Sequence, residues 1–222
     1  MSSSAPTLPT PRFSIVVTYF QGTQPRDVFL RGMQCLQRQS FRNYEVLVYH
    51  DGPLSDPDVP SPFPIRATAE RFNDWGHTLR DMGIREARGD YILHFNADNI
   101  LYSNALETLE YYSRRPAYLV QPDGRAIDTP EVMVFGIHKN GYQRHFRMWY
   151  KHPPGVKTSV ILTGNPPERY NIDCLQMVIS RRIWLEIGGW YDKQNESDGV
   201  IYQAVAEKYG YRGVPVVLGE HN

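Results

Sequence analysis

Cysteine is scarce: Cys35 and Cys174 are the only two in 222 residues, and neither sits in a CxxC pair. A disulfide framework is therefore excluded, and reduced thiols in a cytoplasmic setting are the expectation. No stretch approaches the ~18 consecutive apolar residues of a membrane span, so no transmembrane segment is expected. Neither sign of charge is in excess, with 24 Lys plus Arg against 24 Asp plus Glu. Without a basic surplus or stripe there is no electrostatic footprint for nucleic acid, and none is expected as a partner. The sequence has no GxxxxGK phosphate loop, no GxGxxG after its first apolar run, no GxSxG and no HExxH. A P-loop nucleotidase, a dinucleotide-binding domain, a serine hydrolase of the elbow type and a zincin are set aside on those grounds. Residues 1–11 are rich in Ser, Pro and Thr and lack both a basic start and an apolar core. They read as a disordered leader rather than a secretory signal.

What remains is a chain of 41% hydrophobic and 13% aromatic residues, enough for a folded domain with a substantial core. One domain over 12–222 is expected, without internal repeats. Apolar, β-branched runs predict strands at 13–19, 44–49, 65–68 and 91–95. Helical spacing predicts helices at 28–39, 76–87 and 103–114, the last with Ser103 as N-cap. This alternation is the rhythm of a mostly parallel sheet with helices on its faces. In the second half, strands are expected at 117–121, 132–137, 175–180 and 213–218, and helices at 181–187 and 199–209. Residues 138–171, rich in aromatics, Pro and Gly, have no clear period and read as a binding loop or lid. They include Tyr142, His145, Phe146, Trp149, Tyr150, Pro153, Pro154, Pro166 and Pro167.

The informative places are where apolar runs stop at acids. The strand ending at Phe95 runs into Asn96-Ala97-Asp98-Asn99, and the second strand into His50-Asp51-Gly52-Pro53. Asp198 stands at the start of a predicted helix. In open α/β sheets ligands bind at the carboxyl ends of the strands. An acid there can hold a hard divalent cation, and the cation can hold phosphate. The competing reading of each acid is an ordinary turn or helix cap.

Four segments, in order along the chain, resemble the family 2 glycosyltransferases, inverting enzymes of the GT-A fold. FSIVVTYFQG (13–22) is similar to the family's first strand, whose Thr-Tyr turn borders the nucleotide base. VLVYHDGP (46–53) is similar to its second-strand Asp-Asp-Gly-Ser element. NDWGHTLRDMGIREARGDYILHFNADN (73–99) is similar to its central block ending in Asp-x-Asp. MVISRRIWLEIGGWYDKQNESDGVIYQAVAEKYG (177–210) is similar to its acceptor-side segment, with a Gly-Gly-aromatic turn and a later Glu-Asp pair.

The resemblance implies an α/β nucleotide-diphospho-sugar transferase (GT-A) fold, with a mixed, mostly parallel sheet flanked by helices. It implies a nucleotide-binding part over about 12–115 and an acceptor-side part over about 116–222. The activity implied is hexosyl transfer from a UDP- or GDP-sugar to a hydroxyl of a glycan, lipid or protein-linked acceptor, with Mn²⁺ or Mg²⁺. Thr18, Tyr19, Asp51, Arg80, Asn96, Ala97 and Asp98 would contact the donor. Asp51 would accept an N–H from the base, and Arg80 would lie near the diphosphate or hold the acidic loop. Asp98 and His221 would bind the metal, and Asp198 would be the general base, with Glu196 as competitor. Three positions depart from the family: His50, Asn96 and Ser197 stand where it carries acids. Trp149, Tyr150 and Trp190 could stack on sugar rings, whereas Trp184 reads as core. The rival reading is a sugar-nucleotide-binding protein with little or no transferase activity.

Overall fold

Side chains of successive strand residues point to opposite faces of a sheet, and the first apolar run uses both. The computed structural model describes residues 10–120, 125–145, 148–153 and 156–222, with backbone alone at 144, 145 and 148. Residues 1–9 of the expected leader, Gln121 of an expected strand, and Phe146 and Pro154 lie outside the described residues. In β1 (Phe13–Tyr19) every residue is buried. Its Phe13, Ile15 and Val17 join one apolar cluster, and Val16 joins a second on the other face. β4 (Tyr91–Asn96) divides in the same way, with Leu93 and Phe95 on one side and Ile92 on the other.

Helices cover both faces. α1 (Arg26–Gln37) buries Phe29, Gly32, Met33 and Leu36, a stripe at helical spacing. It shares the first cluster with α3 (Ala105–Ser113) through Leu106 and Leu109. The second cluster takes Leu79 and Ile84 from α2 (His77–Glu86), Ile183 and Trp184 from α4 (Arg181–Glu186), and Ile201, Tyr202 and Val205 from α5 (Ser197–Tyr209). No helix among the described residues is long and apolar enough to cross a membrane.

Among the described residues the central sheet has nine strands. β2 (Tyr44–His50) and β3 (Ile65–Ala67) extend it outward from β1, all parallel, and β4 lies parallel on the other side of β1. Next comes β12 (Met177–Ser180), antiparallel to β4 and also to β8 (Val132–Asn140). β13 (Arg212–His221) runs parallel to β8, and β5 (Ile100–Leu101) closes that side. β11 (Ser159–Leu162) also pairs with β8. Two small antiparallel pairs lie outside the sheet: β6 (Ala117–Tyr118) with β7 (Ala126–Ile127), and β9 (Tyr142–His145) with β10 (Met148–Lys151). The architecture is the mixed, largely parallel α/β sheet expected.

Several boundaries moved, each for a local reason. Ser103 does not cap α3: the cap is Asn104, without a side-chain bond, while the Ser103 carbonyl accepts the Ser40 N–H at 2.7 Å. The strand expected from residue 175 begins at Met177, because Asp173 caps a 3₁₀ turn over Cys174–Gln176. Residues 138–171 are not structureless; they carry the end of β8, β9, β10 and β11. β13 continues to His221 through two register shifts near Pro215, so that residue lies in a strand rather than beyond one.

Gly32 ties the core to the acidic loop. A Cβ there would sit 2.2 Å from the Ala97 carbonyl oxygen, and a backbone atom cannot swing aside. Gly32→Ala gains roughly 1 kcal/mol of helix propensity, but the overlap costs about 1–3 kcal/mol and displaces residues 96–99. The expected net result is a lower urea midpoint together with weakened ligand binding at that loop.

Candidate functional site

The carboxyl ends of β1, β2 and β4 come together by register, Thr18 beside Asn96 and Tyr19 beside His50. β8 and β13 run the same way, so Lys139 and His221 arrive, paired in register, at the same edge. β12 runs oppositely and so presents its beginning there, which brings in Asp173 and Cys174. A cleft of about 880 Å³ lies along this edge, within the size range of small-molecule sites.

Of the residues expected from sequence, Thr18, Tyr19, Asp51, Arg80, Asn96, Asp198 and His221 line the cleft. The competitor Glu196 lines it too, as do Trp149 and Trp190. Asp98 and Ala97 do not. Ala97 is completely buried, its N–H bonded to the Thr18 carbonyl, so it supports the loop instead of offering a contact. Tyr150 is exposed away from the cleft lining, and Trp184 is core.

The β1–β2 end of the cleft is tightly braced. Thr18 donates its hydroxyl to Asn96 Oδ1 at 3.1 Å. The Tyr19 ring stacks on Phe29, with centroids 4.0 Å apart. Asp51 accepts the backbone N–H groups of Phe72 and Asn73 at 2.8 and 3.1 Å, one on each oxygen, and lies 3.6 Å from Arg71. A base N–H would therefore be an additional bond on a carboxylate already fixed in place. His50, to which sequence gave no role, accepts the Gln21 N–H at Nε2 and lies 2.7 Å from the Gly52 carbonyl at Nδ1, locking two loops together. The carbonyl acceptor places the ring proton on Nδ1.

Arg80 is the most connected residue of the site. It bonds Cys174 Sγ, the Trp75 carbonyl, His77 Nδ1 and Asn96 Oδ1, and its guanidinium lies 5.0 Å from the centre of the Trp190 ring. Trp75 itself is 65% exposed at the cleft mouth, with φ of 56°. The following Gly76, at φ 81°, passes so close to Thr18 that a Cβ would lie 3.0 Å from its side chain.

Two carboxyls behave in opposite ways. Burial pushes Asp173 up, but His221 at 3.0 Å, Lys139 at 3.4 Å and the Leu175 N–H pull harder, and its carboxyl is held well below the usual range. Asp198 has no cation in contact among the described residues. Burial and the repulsion of Asp173 outweigh the Gly199 N–H bond, and its carboxyl is raised to about 6. Glu196, by contrast, is paired with Arg169 at 3.0 Å.

Asp98 is raised as well, chiefly by burial, against the pull of His221 and a bond from Gln24. Its Oδ1 is buried without a hydrogen-bond partner, and His221 Nδ1 lies off the line of a hydrogen bond to Asp173. No three His, Cys, Asp or Glu among the described residues are grouped closely enough to cage a metal on their own.

Sequence reasoning gave no individual role to Asp173, Lys139, His77, Trp75 and Tyr170, all on the cleft wall, where Tyr142 of the expected binding loop also stands. Asp173 had a signal in Asp-x-x-Gln, the capping box that it forms with Gln176. Lys139 had none, since its importance comes from register with His221.

The profile of Glycosyl transferase family 2 matches residues 14–156. No curated protein sequence matches the chain closely enough to count as a relative. Among solved structures, S. aureus TarS residues 1–349 superposes with a TM-score of 0.61 at 12% identity, covering 95% of this chain and 60% of that one. The same fragment in complex with UDP-GlcNAc gives 0.61 at 12% identity, with 95% and 58% covered. The mannosyltransferase PcManGT from Pyrobaculum calidifontis, in complex with GDP-Man and Mn²⁺, gives 0.59 at 14%, with 95% and 56% covered. At such identities the likeness is one of fold, and the chain spans little more than half the length of these structures.

Proposed function

Because the chain belongs to glycosyl transferase family 2, whose profile spans more than half of it, we propose that it moves a hexosyl group from a UDP- or GDP-sugar to an acceptor hydroxyl, with inversion. The observation that carries this reading is Asp198: a carboxyl on the cleft wall, free of contacting cations among the described residues and poised at about 6. A general base works best with a pKa near the operating pH and within hydrogen-bond reach of its proton. Asp198 takes the proton of the acceptor hydroxyl as oxygen attacks the anomeric carbon from the face opposite the leaving diphosphate.

The other residues position and neutralise. Thr18, Tyr19 and Asp51 form the base and ribose end of the cleft, with Asp51 offering its remaining lone pairs to an imide or guanine N–H. Arg80 and Asn96 face the diphosphate, and Trp149 offers an aromatic face to the acceptor. Asp98 and His221 would hold Mn²⁺ or Mg²⁺, and the unpartnered Asp98 oxygen and the imidazole suit such an ion. Ions of this kind commonly take one or two protein ligands and complete their shell from phosphate and water. When bound, the ion would add positive charge at the leaving group. Holding donor and acceptor in one cleft would supply orientation.

One observation favours the rival binding-only reading. Ser197, where the family has an acid, is fully buried and accepts the Trp190 Nε1–H at 2.9 Å, so that position is given over to packing. A thermal-shift panel separates the cases, because a ligand of the folded state raises the midpoint. UDP- or GDP-sugars are expected to raise it by several degrees, and the responding donor to be turned over with inverted product stereochemistry by NMR. A midpoint shift with no turnover on any hydroxyl acceptor would support the binder instead.

A further inference from the structure

A guanidinium taken out of water normally has a carboxylate to meet it, because an isolated buried charge is costly. Arg80 is 4% exposed, yet every partner it has is neutral. Nε donates to Cys174 Sγ at 3.2 Å, Nη1 to the Trp75 carbonyl at 2.8 Å and to His77 Nδ1 at 3.2 Å, and Nη2 to Asn96 Oδ1 at 2.7 Å. His77 is an acceptor here because its Nε2 faces the Gln194 carbonyl at 3.0 Å and must carry the proton. Burial first, and then Arg80 itself, keep that ring uncharged down to about pH 4. A guanidinium has five N–H groups. Four are accounted for, and the fifth, on Nη2, has no acceptor among the described residues. Asp198 feels the charge of Arg80 without touching it.

The key substitution is at residue 96. The 2.7 Å contact is of the length found in charge-assisted pairs, so a carboxylate in that place would neutralise Arg80. An amide leaves the cation in force on the cleft wall. Asp98, two residues on, lies outside the lining. Beside Asn96 the cleft wall thus carries the charge of the Arg80 guanidinium itself.

We propose that Asn96 leaves Arg80 as a standing counter-charge for the donor diphosphate, so that nucleoside diphosphate binding persists without a divalent ion. The inference rests on the donor site described above and refines it: the metal adds to a charge already in place instead of creating it. A cation held by four fixed acceptors needs no reorganisation to receive an anion.

The test is calorimetric titration of UDP and of GDP into the full chain, in EDTA and in Mn²⁺, for the wild type and Asn96→Asp. The substitution is near-isosteric, and an unchanged melting midpoint confirms that the fold is kept. For the wild type, the better nucleotide is expected to bind in EDTA within about tenfold of its affinity in Mn²⁺. For Asn96→Asp, affinity in EDTA is expected to fall by about tenfold or more, and Mn²⁺ to restore most of it. Wild-type binding that weakens more than a hundredfold in EDTA would overturn the proposal, as would an Asn96→Asp variant that binds in EDTA as the wild type does. Absence of binding by either nucleotide under both conditions would remove the donor site itself, and this proposal with it.

Discussion

Asp198→Asn is expected to cut sugar transfer by roughly 10²–10⁴-fold, the usual contribution of a positioned base, while donor binding stays and the folded chain becomes more stable. The stability gain follows from the raised carboxyl. Its folded value, about 6, lies above that of an unfolded Asp, near 3.9. Below about pH 4 the group is protonated in both states and costs nothing. Between about 4 and 6 the unfolded chain releases its proton first, so stability falls as pH rises. Above about 6 the folded protein bears the full cost of a buried charge, roughly 2–3 kcal/mol. Urea titrations should therefore show Asp198→Asn more stable than wild type at pH 8 and equal to it near pH 4.

The wild-type rate should respond to the same group. Groups around Asp198 act in both directions, Asp173 raising its carboxyl and Arg80 and Lys139 lowering it. The profile of kcat/KM is expected to rise through about pH 6 and level off above about 7. Glu196→Gln, which only releases Arg169, should leave that profile in place. A profile that moved with Glu196 and ignored Asp198 would reassign the base.

Trp190→Ala is the second large effect, and it is structural in origin. The ring is 1% exposed. It stacks on Trp184 and on His77, each with centroids 5.6 Å apart, meets His94 edge-on at 4.8 Å, and donates to Ser197. Truncating a buried aromatic of this kind costs about 3–5 kcal/mol, a fall in midpoint of roughly 10 °C for a chain of this size. Trp190→Phe keeps most of the packing and should lose about 1–2 kcal/mol, the share of the Ser197 bond. Because the ring also faces the Arg80 guanidinium, donor affinity should weaken in the alanine variant even at temperatures where it is folded.

The parts of this molecule written in local pattern were legible before the structure. β1, β2 and β4 show as apolar, β-branched runs, and α1 as a stripe of Phe29, Met33 and Leu36; β1 keeps its expected bounds, and the ends of the others moved by a residue or two. β5, β7, β9, β10 and β11 were missed because runs of two to four residues are too short to show a period. The direction of β12 was not legible either, since an all-buried MVIS reads the same for either neighbour. At the site, Asp51 and Asp198 announced themselves as acids at strand and helix ends. Arg80 was visible as a helix residue, but its uncompensated charge depends on Cys174, 94 residues away, and on an amide at 96. Asp98 was read as a metal ligand from its neighbours in sequence; the Asn96–Asn99 turn holds it half-buried outside the cleft lining, with its Oδ1 lacking a hydrogen-bond partner among the described residues.

β12 has a mechanical consequence. It lies edge to edge with β4 on one flank and with β8 on the other, so the parts of the chain before and after about residue 116 are stitched into one ladder. They cannot swing apart like the lobes of a hinged enzyme without breaking backbone bonds along that seam. Movement that keeps those bonds is confined to the rim, where Trp75, Tyr142 and Trp149 stand.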